Sequence, residues 1–357
     1  MNKKELLDLY SDYLITSFGQ TSGTGLSALL NGSVSHDQVQ RLLSGEEWTA
    51  ADLWSIVKPH VRAMSAADGV LIIDDSVSEK PYSDENEIVC WHYDHARDRQ
   101  VKGINFLSAL YHAASQSLPV GFRLVAKTEH YTDKKTGKPK RRSPVSKNEH
   151  YQALVRQAQA NHIPFKYVLN DVWYASADNM NFIKEELHLD FIMPLKTNRK
   201  VALCQQDKAQ GRYVSIDQVT LEAGSVRMIY LEEVAYPLAL VKQVFVNEDD
   251  SIAIQYLVSS DLSLTGEQIM ALYRKRWNVE PFHKSLKQNA SLEKSPTHTV
   301  RTQTNHLFAS FCGYIKLELL KQSSHLNHFA LKSRLYVSAL RSAFDQLRQL
   351  HPVRLAA

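Results

Sequence analysis

Apolar residues recur along this chain with two different periods, and the change of period divides it. In the first 65 residues the spacing is helical: Leu6, Leu7, Tyr10, Tyr13 and Leu14 follow Asn2-x-x-Glu5, a capping box in which each side chain accepts from the other residue's backbone N–H. Ser35-x-x-Gln38 repeats the device before a short helix that Gly45 can close. Thr49 then caps a helix carrying Leu53, Trp54 and Val57, which Pro59 is expected to kink. Short helices with Gly in their turns are compatible with a helix-turn-helix DNA reader exposing His36, Gln38, Gln40 and Arg41, although small helical bundles without that role share the pattern.

From Gly69 the pattern becomes that of strands. Val70 to Ile73 is an apolar run ending in Asp74-Asp75, and Ile104 to Tyr111 and Leu118 to Val125 are further strand candidates. Ser146-x-x-Glu149 opens a helix through about Ala160; Tyr167 to Leu169 reads as a strand stopping at Asn170-Asp171; a helix over Ala177 to Leu187 and a strand over Phe191 to Met193 follow. Three strands, helix, strand, helix, strand is the order of the ribonuclease-H-like fold. The stretch after Lys196 is rich in Val, Ile, Tyr and Thr, with runs at Val226 to Val234, Leu238 to Val246 and Ile252 to Val258. A long helix from about Gly266 to Gln288 and a helical region from near Thr302 complete the chain. The expected class is therefore α/β: a ribonuclease-H-like core over 66–195 and 262–295, a β-rich insertion over 196–261, and helical regions over 1–65 and 296–357.

Composition narrows the function classes. The 357 residues are 44% apolar and 22% charged, ordinary for a globular chain, with neither a membrane-spanning run nor a signal peptide, so a cytoplasmic protein is expected. Cys90, Cys204 and Cys312 are odd in number and widely spaced, which excludes a disulfide framework or a Cys-x-x-Cys site and suggests buried thiols. Cys90-x-His92-x2-His95 offers three zinc ligands without a fourth and is not read as a zinc site. Neither a phosphate-binding glycine loop nor a Gly-x-Ser-x-Gly elbow occurs. The formal net charge of +4 is mild, but Lys134, Lys135, Lys138, Lys140, Arg141 and Arg142 cluster around Gly137 and Pro139. That basic loop is either a solvated hairpin tip or a phosphate-contacting arm.

The chemistry lies in acids at strand ends. Asp74 and Asp171 each close an apolar strand, where side chains emerge into a crevice; an Asp there also serves as a turn former or helix cap. On the later helix, Tyr273, Arg276, Glu280 and Lys287 fall within about 60° of one another at an ideal helical pitch. Leu272, Val279, Phe282 and Leu286 form the adjacent apolar stripe, and Pro281 should kink the helix beside Glu280. An Arg276–Glu280 ion pair alone explains two of the four polar residues. Phosphodiester cleavage explains all four, because two Mg²⁺ ions about 3.5–4 Å apart need only a few carboxylates, with cations beside them for adjacent phosphates.

The spacing Tyr273-x2-Arg276-x3-Glu280-x6-Lys287, with Trp277 and Phe282, resembles the signature helix of bacterial insertion-sequence transposases of the DDE class, the insertion-sequence-four-like type with a Tyr-Arg-Glu-Lys motif. Asp74-Asp75-Ser76 is similar to the family's first motif, which selects Asp74, and Asn170-Asp171-Val172-Trp173 to its second; Ser76 stands where Thr is commoner. The resemblance covers about Leu71 to Lys287. It implies a DNA transposase with Asp74, Asp171 and Glu280 as catalytic metal ligands for two Mg²⁺ ions, Mn²⁺ substituting, and Tyr273, Arg276 and Lys287 as a clamp on the DNA end. It also implies a homodimer synapsed on transposon inverted-repeat ends, joining them to target DNA in association with the bacterial nucleoid. A nuclease of the same fold without strand transfer, and a non-catalytic DNA-binding descendant, are the alternatives. Trp173 and Trp277 are expected to be packed, with base stacking as the alternative.

Overall fold

A computed structural model of the chain describes residues 1–64, 68–94 and 98–350. His95 and the last seven residues of the C-terminal helical region lie outside the described residues. In chain order, helices α1 (Lys3–Thr16), α2 (Gly23–Leu29), α3 (His36–Ser44) and α4 (Ala50–Ala63) precede strands β1 (Val70–Glu79), β2 (Val89–Asp94), β3 (Arg99–Ala113), β4 (Gln116–Leu124), β5 (Glu129–Thr132) and β6 (Pro139–Arg142). Next come α5 (Lys147–Ala160), β7 (Tyr167–Asn170), α6 (Ala177–Asn181), β8 (Asp190–Leu195), β9 (Lys200–Val201), α7 (Gln205–Ala209) and β10 (Val214–Ser215). Strands β11 (Val226–Ile229), β12 (Leu238–Val246) and β13 (Ile252–Ser259) lead to α8 (Gly266–Arg274), α9 (Val279–Gln288), α10 (Val300–Ser324) and α11 (His328–Leu350).

The capping boxes at Asn2, Ser35, Ser146 and Thr265 all form, and they start α1, α3, α5 and α8 where the sequence places them. Gln38, expected on an exposed reading face, spends its side-chain oxygen on the Ser35 N–H, whereas His36, Gln40 and Arg41 are exposed. The apolar periodicity gives no sign of α2 or β2. Pro59 lies inside α4, whose helical backbone continues past it to Ala63. Cys90 and Cys312 are buried as expected; Cys204 is exposed, because its thiol caps α7, accepting from the Asp207 N–H at 3.4 Å.

The chain forms two compact units. One contains Trp54–Val77 and Asn105–Glu280 and holds the ribonuclease-H-like sheet, in the order β11-β12-β13-β8-β7-β1-β3 with β4 beside β3. β1, β7 and β8 are parallel, and β3 with β4 is antiparallel. The β-rich insertion is not a detached layer: β13 pairs antiparallel with β8, so its strands widen the same sheet. Helix α5 packs close to β4, where a Cβ on Gly121 would stand 3.0 Å from Leu154 Cδ2. Fully buried Leu71, Ile72, Val168, Leu169, Ile192 and Met193 hold β1, β7 and β8 together, and they fix where the polar strand ends emerge.

The other unit contains Met1–Leu53, Ser78–Ile104 and Pro281–Ala357. Helix α10 is buried on every side from Gln303 to Ile315, polar residues included. Asn305 and His306 of this buried stretch are hydrogen-bonded. His306 Nδ1 meets the Tyr10 hydroxyl at 3.0 Å and Nε2 donates to the Ser291 carbonyl at 3.1 Å. Asn305 accepts from the Trp48 N–H at 2.9 Å and donates to the Leu43 and Glu46 carbonyls at 2.8 and 3.1 Å. Lys332 donates to the carbonyls of Ile15 and Ser17 at the C-terminal end of α1, where a cation suits the helix dipole. No helix among the described residues is long and apolar enough to cross a membrane.

Candidate active site

The register of two parallel strands brings the first two acids together. Ile73 pairs with Asn170, so Asp74 and Asp171 are the next residues on neighbouring strands about 4.8 Å apart. β1 does not end at Asp74-Asp75, as the sequence suggests, but runs on to Glu79, because β3 continues beside it after β7 has stopped. β7 ends at Asn170, and Asp171 Oδ1 accepts from the Trp173 N–H at 2.9 Å, capping the 3₁₀ turn Val172–Tyr174. The ordinary role of an aspartate after a strand is thus present, and it leaves the carboxylate beside Asp74.

The two adjacent aspartates of β1 are in different environments. Asp75 accepts from Asn105 Nδ2 at 2.8 Å, Lys147 Nζ at 2.8 Å and the Tyr174 hydroxyl at 2.7 Å. Burial would raise its pKa, but the Lys147 charge and these three bonds outweigh it and hold the carboxyl below its ordinary value. Asp74 has the Asp75 N–H at 2.9 Å and Arg276 Nη1 at 3.6 Å. Burial and the charges of Asp171 and Asp75 hold its carboxyl well above the usual range, against the pull of Arg276. Asp171 is also raised, by burial first, with Asp75 adding and the Trp173 N–H and Arg276 opposing. Asp75 is thus partnered on both oxygens and neutralised by Lys147, whereas Asp74 has the charge of Asp171 beside it. Asn105, Lys147 and Tyr174 are missing from the sequence-based site.

The helix bearing the third acid is not continuous. α8 gives way to a 3₁₀ segment, Lys275–Asn278, before α9 begins at Val279. Pro281 supplies the reason, since it has no N–H for the Trp277 carbonyl and crowds it. Three residues per turn place Tyr273, Arg276 and Val279 on one buried face, whereas Leu272, expected in the core, is half-buried. Tyr273 is 3% exposed and its hydroxyl donates to the Asn170 carbonyl at 3.2 Å, so here it braces the end of β7 rather than facing solvent. Arg276 lies between two acids, with Nη1 3.6 Å from Asp74 Oδ2 and Nη2 3.6 Å from Glu280 Oε1. Its Nε is buried without a hydrogen-bond partner. Glu280 is half-exposed in the first turn of α9. Lys287 belongs to the other unit, where Nζ is 3.9 Å from Glu293 Oε1.

Among the described residues no three His, Cys, Asp or Glu side chains stand close enough to hold one metal ion. The guanidinium of Arg276 stands between two of the acids, 3.6 Å from Asp74 and 3.6 Å from Glu280. The donor set still suits a hard divalent cation, being carboxylate oxygens whose mutual repulsion a cation would relieve. Beside Asp171 opens a cavity of about 510 Å³ lined by Trp173, Lys196, Arg199, Lys200, Glu232 and Glu233. Trp173 and Trp277 are 61% and 54% exposed, not packed as expected, and cations attend both rings: Lys196 Nζ 5.9 Å from the first, the Arg276 guanidinium 4.9 Å from the second.

Residues 2–214, more than half of the chain, match the family described as DDE superfamily endonuclease. The chain belongs to this superfamily. No curated protein matches it. DDE endonucleases act on DNA and generally depend on divalent metal ions, in agreement with the ribonuclease-H-like sheet and the acids where β1 and β7 part. The matched span includes Asp74 and Asp171 and stops before Glu280.

Proposed function

We propose that this DDE endonuclease is a transposase of the Tyr-Arg-Glu-Lys type, which cuts DNA at transposon ends and joins the freed end to a target. The observation that carries the reading is the convergence of Asp74, within β1, and Asp171, just past the end of the neighbouring β7, with Arg276 linking Asp74 to Glu280. Asp74, Asp171 and Glu280 are the proposed ligands of two Mg²⁺ ions, which Mn²⁺ can replace. Such ions supply an activated water or 3′-hydroxyl and neutralise charge at phosphorus.

The chain's own residues do the positioning. Tyr273 fixes the Asn170 carbonyl and so the direction of Asp171; Asn105, Lys147 and Tyr174 fix Asp75 and hence the stretch of β1 that presents Asp74. Arg276, with one donor unused, would be the donor to a DNA phosphate once its carboxylate neighbours were otherwise neutralised. Lys287 holds a further phosphate as a point charge. The helical region over 1–65 reads the inverted repeat, the segments 66–195 and 262–295 are the catalytic core, and the protein works as a homodimer on paired ends.

The test is cleavage of a duplex carrying the inverted repeat that flanks the gene. Asp171→Ala or Glu280→Ala should abolish Mg²⁺-dependent cleavage while end binding persists, and retained cleavage rejects the assignment. Joined strands among the wild-type products support the transposase; nicks alone leave a nuclease.

A further inference from the structure

The unit that carries the acids also carries a projecting basic arm. β5 and β6 pair only with each other, in the register Glu129↔Arg142 to Thr132↔Pro139, and apart from half-buried Arg141 their residues are exposed. From Glu129 to Arg142 six Lys and Arg face two acids, a net of four positive charges, equal to the formal net charge of the whole chain. The acids are not spread evenly. Glu129 pairs with Arg142 at 2.8 Å, and Asp133 with Lys140. Arg142 also lies over the Tyr131 ring, 5.7 Å from its centroid. Glu129, Tyr131, Lys140 and Arg142 share one face of the ribbon by their alternation, so that face is neutralised within itself.

Three of the four excess charges are left at the tip, on exposed Lys134, Lys135 and Lys138, and the fourth is half-buried Arg141 on the other face of the ribbon. That tip has a defined shape. Asp133 Oδ1 accepts from the N–H groups of Lys135 and Thr136 at 3.1 and 2.8 Å, the Asp133 carbonyl accepts from Gly137 at 2.8 Å, and Gly137 has φ +65°. Three ammonium groups are thus presented from an ordered turn, which lowers the entropy cost of placing them on a ligand.

We propose that this arm is a duplex-DNA contact of the enzyme, with Lys134, Lys135 and Lys138 on phosphates of the flank beside the cleavage site. The inference rests on the nuclease reading of the acids and adds where the duplex is held. Geometry sets the range. Lys147, five residues past Arg142, is bound to Asp75, so with its own side chain included the root of the arm is at most about 27 Å from the Asp75 carboxylate. Four-residue strands add about 14 Å, which puts the tip contacts within roughly twelve base pairs of the scissile phosphate. A two-stranded ribbon also has the width that the major groove admits.

The experiment is fluorescence anisotropy of the full chain on a labelled duplex, without metal, over a salt series. Replacing Lys134, Lys135 and Lys138 together by Ala should lower the slope of log K against log salt by about 2.7, three phosphates at about 0.9 each. Replacing the same three by Arg should restore it, since charge and not Lys packing is required. An Ala variant with the wild-type slope, or a loss that Arg does not rescue, overturns the arm while leaving the nuclease reading intact. A wild-type protein that binds no duplex overturns both.

Discussion

Asp74 and Asp75 are adjacent, chemically identical and opposite in consequence, so converting each to Asn gives a sharp test. Asp75 accepts three bonds at 2.7–2.8 Å, one of them from a lysine. Asparagine keeps one acceptor oxygen and turns an NH₂ toward the remaining donor. Losing a charge-assisted bond and opposing a donor costs about 2–4 kcal/mol. Asp74 is largely buried beside two other carboxylates, so Asp74→Asn removes repulsion and desolvation and should leave stability unchanged or raised at neutral pH. Urea unfolding without metal measures both. Added Mg²⁺ at a hundred times its dissociation constant should then raise stability by about 2.7 kcal/mol in the wild type and in Asp75→Asn, and not in Asp74→Asn. If Asp74→Asn is destabilised as much as Asp75→Asn, or keeps the Mg²⁺ response, the division of labour between the two is wrong.

Arg276→Gln removes the cation between Asp74 and Glu280, so Mg²⁺ should bind more tightly by calorimetry while cleavage falls about 10²-fold for want of a phosphate donor; weaker Mg²⁺ binding contradicts the placement. Asn305→Ala leaves the Trp48 N–H and the Leu43 and Glu46 carbonyls without their partner, and should cost about 2–4 kcal/mol in urea unfolding. His306 is buried and neutral, its pKa pushed down to about 3 by burial, with Lys80 contributing. The unfolded imidazole titrates near 6.5, so the stabilisation is complete above that pH and is lost as pH falls toward 3, by up to about 1.4 kcal/mol per pH unit. That slope should flatten in His306→Gln; an unchanged slope assigns the acid sensitivity to other groups.

What the sequence reveals here is what acts over a few residues. Four capping boxes are legible because donor and acceptor stand three places apart, and the core strands because apolar runs end in acids. The partners of Asp75 arrive from 30, 72 and 99 residues away, and nothing local marks Asn105, Lys147 or Tyr174 as their source. β1 shows the converse: its polar second half reads as a turn, yet the neighbouring strand keeps it extended to Glu79. Periodicity locates the helix of Tyr273, Arg276 and Glu280, but an ideal pitch misplaces its faces, because Pro281 forces a tighter turn ahead of it. The exposure of Trp173 and Trp277 is illegible for another reason: an aromatic residue reads as core until its neighbours in space are known.

The most direct measurement is anomalous diffraction from crystals soaked in Mn²⁺. The account predicts manganese at the carboxylates of Asp74 and Asp171, with Glu280 completing the set and the Arg276 guanidinium displaced from between Asp74 and Glu280. Manganese bound elsewhere, or Arg276 still bridging the two acids in a soaked crystal competent for cleavage, contradicts it.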